Sequence, residues 1–179
     1  MGNPIGKWHE EHMYFLRLLG LLRHEVDALA AGATPNYGLM LNVIGYLRDY
    51  SDRMHHPRED AVFAILAARS PQHRQAIDRL RQEHRVIERH GENLRTLLEE
   101  AAADALVLRA EIEVAAATYL VYYGNHLAKE EEDVLPLAAK YLTPEDWESV
   151  KNAVPQGDPL IAADAQRYRE LRRRIALEA

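Results

Sequence analysis

The sequence predicts an all-α fold: an up-down-up-down antiparallel four-helix bundle with one or two extra C-terminal helices. Three observations predict it. Breaker residues cut the chain into four long segments, each segment carries an apolar stripe at three- and four-residue steps, and none shows the β-branched alternation of a strand. The cuts fall at Ala31-Gly32-Ala33-Thr34-Pro35-Asn36, at Ser70-Pro71, more weakly near Ala101 to Asp104, and at Leu142-Thr143-Pro144. Short connections between long helices favour antiparallel neighbours.

In the first segment Trp8, Phe15, Leu19, Leu22, Val26 and Leu29 form the stripe, and its single gap falls on His12. In the second, Met40, Ile44, Leu47 and Ser51 lead to His55 and Glu59, then Val62 and Leu66. Ile77, Leu80, Ile87, Gly91, Leu94 and Leu98 mark the third, with His84 in the gap. The fourth runs Leu108, Ile112, Ala115, Tyr119 and Tyr122, then His126 and Glu130, then Val134 and Leu137. Residues 1–142 are thus read as the bundle and 143–179 as an extension packed on it.

Within that extension Thr143-Pro144-Glu145-Asp146 reads as an N-cap, a proline at the first helical position and acids facing the positive helix terminus, so a short helix follows. Pro155-Gln156-Gly157-Asp158-Pro159 breaks it, and a last helix is expected from about Leu160 to Leu177. That helix carries the basic stretch Arg167 to Arg174 and is read as packed on the bundle, with a homodimer face as the alternative.

The bulk properties exclude several functions. The chain has 179 residues, 47% hydrophobic and 28% charged, the make-up of one ordinary globular domain. A formal charge of -6 repels a polyphosphate backbone, so nucleic acid is not an expected partner. With no cysteine, thiolate zinc sites and Fe–S clusters are excluded, and any metal must be held by nitrogen and oxygen. Neither a basic leader with an apolar core nor a run of about 18 apolar residues occurs, so no membrane association is expected and the protein is placed in the cytoplasm.

Six polar residues, His12, His55, Glu59, His84, His126 and Glu130, therefore stand on core-facing stripes. A buried carboxylate or imidazole persists in a core only when paired or metal-bound. His55 and Glu59 are one helical turn apart on one face, as are His126 and Glu130, so each pair can converge on one centre. Along the bundle axis the six positions differ by only ~14 Å at most, at about 1.5 Å rise per residue. Imidazole and carboxylate without sulfur suit iron, manganese or zinc, and carboxylates that can span two ions favour a dinuclear centre. The ferritin-like arrangement needs Glu-x-x-His steps of three, whereas here the steps are four and histidine precedes the acid.

The pattern His, His-x-x-x-Glu, His, His-x-x-x-Glu over four helices resembles the hemerythrin-like, or HHE cation-binding, domain family, over roughly residues 5 to 142. Its local text includes Arg53-Met54-His55-His56-Pro57-Arg58-Glu59-Asp60, Gln82-Glu83-His84, and His126-Leu127-Ala128-Lys129-Glu130-Glu131-Glu132-Asp133-Val134-Leu135-Pro136. The resemblance implies two non-haem iron ions, oxo- or hydroxo-bridged, with Glu59 and Glu130 bridging them. His12 and His55 would complete one iron, and His84 and His126 the other; zinc or manganese are possible substitutes. It also implies an open position for a small diatomic ligand, O₂ or NO, or for peroxide. Oxygen-carrying hemerythrins resemble this sequence except on helix three, where they carry two histidines four apart. Here His84 is followed by Glu88, which either binds the iron as a carboxylate or points aside and leaves an open site.

Among the remaining residues, Asp60, Glu131, Glu132 and Asp133 read as a solvated face or as groups behind the ligands. His56, about 100° around the helix from His55, reads as a supporting or surface group. His9 is the substitute for His12, His24, His73 and His90 read as structural or exposed, and Tyr119, Tyr122 and Tyr123 as either core or pocket phenols. The leading function is binding or sensing of O₂, NO or peroxide. The alternatives are a catalase- or peroxidase-like or iron-centre-repair enzyme using the same site, and an iron-responsive interaction module.

Overall fold

The computed structural model describes residues 4–153 together with Tyr168, Leu171 and Arg173. Five helices account for nearly all of residues 4–153, and no described residue is in a strand. Helix α1 is Pro4–Ala30. Helix α2, residues 37–69, comprises an α-helix Tyr37–Tyr46, a π-helical stretch Leu47–His55 and an α-helix His56–Arg69. A 3₁₀ turn, Pro71–His73, leads into α3, Arg74–Ala102. Helix α4, residues 109–141, joins Arg109–Lys129, a π-helical turn Glu130–Val134, and Leu135–Tyr141. Helix α5 is Pro144–Ala153.

The breaks have local causes. Gly32 closes α1 at φ +83°, a left-handed conformation that a side chain resists. Asn36 caps α2, its side chain accepting from the Leu39 amide at 3.0 Å. The weak break after α3 has no glycine, and Asp104 supplies the left-handed residue at φ 57°. At α5, Thr143 Oγ1 accepts from the Asp146 amide at 3.4 Å while Asp146 Oδ2 accepts from the Thr143 amide at 2.7 Å, a reciprocal cap.

Both π-helical stretches end two residues before a proline. In a regular α-helix Pro57 would collide with the carbonyl of Arg53, and Pro136 with that of Glu132, and neither has an N–H to donate. Widening the turn removes the conflict. The His56 amide donates to the Ser51 carbonyl and the Leu135 amide to the Glu130 carbonyl, each five residues back. Arg58 Nε donates to the Met54 carbonyl at 2.9 Å.

Helix α1 packs against α2 and α4, and α3 against the same two. The apolar stripes meet inside, with two departures in α4. Leu108 is 62% exposed because it precedes the helix, and Tyr122 is 46% exposed because Tyr123, four residues after Tyr119, takes the inward position. The core is divided in two. Phe15, Leu22, Ile44, Leu47, Ile87, Leu94 and Tyr123 belong to one apolar cluster, and Trp8, Val62, Phe63, Leu66, Ile77 and Val134 to the other.

Helix α5 closes the second cluster, with Trp147 edge-on to Trp8 at 5.4 Å between ring centroids. Arg69 ties it down, Nη1 donating to the Tyr141 carbonyl at 2.6 Å and Nη2 to Asp146 Oδ1 at 2.8 Å. The expected last helix lies outside the described residues apart from three positions. Of these, Tyr168 and Leu171 are buried, and the Tyr168 hydroxyl donates to Asp49 Oδ2 at 3.0 Å. No described helix is long and apolar enough to cross a membrane.

Candidate metal centre

Between the two apolar clusters lies one polar layer. His12, His55, Glu59, His84, His126 and Glu130 are all buried, none more than 5% exposed, and their side chains converge. Glu59 Oε1 lies 2.8 Å from His55 Nε2 and 3.1 Å from His12 Nε2, while its Oε2 lies 3.4 Å from His84 Nε2. Glu130 faces the same two groups in mirror fashion. Its Oε1 is 3.0 Å from His126 Nε2 and 3.5 Å from His84 Nε2, and its Oε2 is 3.7 Å from His12 Nε2. The donors form two sets, His12, His55 and Glu59 on one side and His56, Glu59, His84 and His126 on the other.

Each of the four inward histidines has a carboxylate behind it. His12 Nδ1 donates to Glu131 Oε1 at 2.6 Å, and His55 Nδ1 to Glu11 Oε2 at 2.7 Å. His84 Nδ1 donates to Asp60 Oδ1 at 3.1 Å, and His126 Nδ1 to Glu83 Oε2 at 3.3 Å. A carboxylate can only accept, so these bonds put the proton on Nδ1 and leave the Nε2 lone pairs facing inward. The carboxylates are anchored in turn. Glu11 accepts from Tyr50 at 2.7 Å and from Arg58 at 3.1 Å, Glu83 from Lys129 at 2.7 Å, and Glu131 from His9 at 2.9 Å.

That arrangement fits a cation. His12 Nε2 and His55 Nε2 are 3.0 Å apart, two ring nitrogens facing each other beside a carboxylate oxygen. Among the described residues Glu59 Oε2, Glu130 Oε1 and Oε2, His84 Nε2 and His126 Nε2 are buried without a hydrogen-bond partner, an expensive state for groups denied both water and an ion. Donors ~2.1 Å from one ion and at right angles to each other stand ~3 Å apart, the spacing seen within the set of His12, His55 and Glu59.

Electrostatics agree. Burial pushes the Glu59 carboxyl up, but the charge on His55 and the hydrogen bonds of His12 and His55 outweigh it and hold it well below the usual range. Burial and the charge of Glu59 likewise raise Glu130, and His126 and His84 bring it back down. Burial lowers the His55 and His84 imidazoles, yet carboxylates lift them to about 9 and about 11. With no metal the two carboxylates thus recruit protons, and a metal ion entering the layer must expel them.

Glu88 is exposed and joins neither set. His56 does what its place on the helix did not suggest. It is 4% exposed, stacks on His84 with centroids 4.1 Å apart and planes at 10°, and offers a nitrogen to the second set. A wide turn has a smaller angular step between neighbours than the ~100° of an α-helix, so His55 and His56 both face the core. Pro57 was the available signal. Asp60 and Glu131 stand behind ligand-facing histidines, and Glu11 and Glu83 join them without having been singled out from the sequence. Tyr123 is buried and shares a hydrogen bond with Ser51, Tyr119 is buried beside it, and Tyr122 stacks on His90 outside. His9 supports Glu131, His24 is exposed, and His73 bonds Ser70 at 2.6 Å.

A surface cleft of about 1380 Å³ lies between the start of α3 and the end of α4 and touches the site through Glu83 and its partner Lys129. No curated protein matches the chain closely enough to count as a relative. The profile of the hemerythrin HHE cation binding domain matches residues 3–138. That match covers most of the chain and contains all the inward-facing histidines and both shared carboxylates, and the chain belongs to the hemerythrin HHE cation-binding family.

Proposed function

We propose that the protein holds two non-haem iron ions and binds or senses a small ligand at them, O₂, NO or peroxide. The observation that carries this reading is the sharing of two carboxylates. Glu59 and Glu130 each direct one oxygen toward the His12 side and the other toward the His84 side, as bridging ligands do. His12 and His55 then hold one ion, and His84 and His126 the other. The packing of each helix against its sequence neighbours supports an up-down-up-down course, which brings the four ligand-bearing faces to one layer.

Bound there, iron supplies Lewis acidity and one-electron redox chemistry. The chain's residues supply the rest. Glu131, Glu11, Asp60 and Glu83 fix the imidazole tautomers and raise their donor strength. Phe15 lies edge-on to the His55 ring at 4.9 Å and Trp8 tilts toward it at 6.0 Å, so the ligand position on that side is walled by apolar rings that exclude water. A cleft of about 300 Å³, lined by Tyr14, Phe15, Tyr46 and Tyr50 among others, offers a short approach between α1 and α2.

The test is gas exposure of anaerobically iron-loaded protein followed by optical spectroscopy. Binding or sensing predicts a coloured adduct with O₂ or NO that reverses when the gas is removed, or a one-to-one adduct with peroxide. An iron-loaded protein whose spectrum ignores all three ligands refutes the reading.

A further inference from the structure

We propose that His56 is a fifth imidazole donor, binding the ion held by His84 and His126. This rests on the two-ion reading above. The ring is buried and stacks on His84, and its centroid is 5.8 Å from that of His126. One of its nitrogens lies with the donor atoms of Glu59, His84 and His126 in a group whose members are all within 4.8 Å of one another. Behind it His56 Nε2 meets the Ser51 hydroxyl at 3.0 Å, and Asp52 Oδ1 stands 3.4 Å from Nδ1. The serine hydroxyl is in turn hydrogen-bonded to Tyr123.

Like the other four inward histidines, the ring is buried with neighbouring donors beside it and polar partners around it, here Ser51 and Asp52. Both ring nitrogens have partners here, so taking up an ion means giving up one of them. The wide turn before Pro57 is what admits the ring at all. With His56 counted, three imidazoles serve one ion and two the other, while both carboxylates are shared. The ion beside His84 is then the more tightly held and loads first.

Cobalt(II)-loaded wild-type protein tests the ligand count directly through contact-shifted, exchangeable imidazole N–H signals in its proton NMR spectrum. Five such signals are expected, and four with two ions bound overturn the proposal while leaving the two-ion reading intact. A protein that binds no cobalt and no iron sinks the two-ion reading itself. In the second arm, His56→Gln keeps a neutral hydrogen-bonding side chain of similar reach. Its helicity is expected to match wild type while the affinity of the first-bound ion drops about tenfold or more. Unchanged affinity at both positions overturns the proposal.

Discussion

Asp52 sits at the edge of the polar layer, its side chain 7% exposed, with Arg48 Nε at 4.0 Å and His56 Nδ1 at 3.4 Å. Burial, then the charge of Glu88, pushes its carboxyl up to about 7 from 3.8, against the pull of Arg48 and His84. A carboxyl that binds its proton more tightly when folded favours folding at low pH, and that advantage is lost as pH rises from about 4 to about 7. Asp52→Asn in the metal-free protein should therefore raise the melting temperature at pH 8, on the order of 5 °C, and leave it unchanged at pH 4. A thermal scan at both pH values checks this, and an equal shift at the two contradicts it. At this scale the sequence spoke clearly for six residues, because each interrupts an apolar stripe that is otherwise continuous. It was mute about Glu11 and Glu83, which lie beside the stripes among many surface acids and gain a role only when a histidine from another helix reaches them. It left His56 open between a supporting and a surface place, because the angle from His55 was taken from a regular α-helix; the ring is buried.

At the scale of the element, that irregularity was written in Pro57 and Pro136, two prolines inside otherwise continuous helical runs. Periodicity alone passes over them, since the stripes on either side of each wide turn still read as helix. The step of three or four residues also left Tyr122 and Tyr123 undistinguished until packing chose Tyr123. Close approach between elements is visible at Gly91 of α3, where an added Cβ would lie 3.1 Å from Tyr119 Cε2 of α4. Gly91→Ala gains about 0.5–1 kcal/mol of helix propensity but presses on a buried ring at a cost of about 1–3 kcal/mol. The net expectation is a loss of about 1 kcal/mol. Gly124→Ala in α4, where nothing lies within 4 Å of the new Cβ, should instead gain about 0.5–1 kcal/mol. Urea denaturation of the two variants checks the contrast, and the same sign for both contradicts it.

For the whole molecule, the polar layer is where stability and function meet. It separates two apolar clusters and buries two carboxylates and five histidines that no apolar neighbour can satisfy. Those groups persist in a core because a cation belongs among them, protons when metal is scarce and metal when it is present. An ion that binds only the folded chain adds about 4 kcal/mol of stability at a thousand times its Kd. The helical bundle was legible because Gly32, Pro35, Pro71 and Pro144 mark turns between helices. The last helix carries no comparable test among the described residues. What decides the account is how many ions the layer holds. Anaerobic ferrous loading, removal of free metal, and metal analysis with an optical spectrum should give about two irons per chain, and a chain that retains no iron contradicts the account.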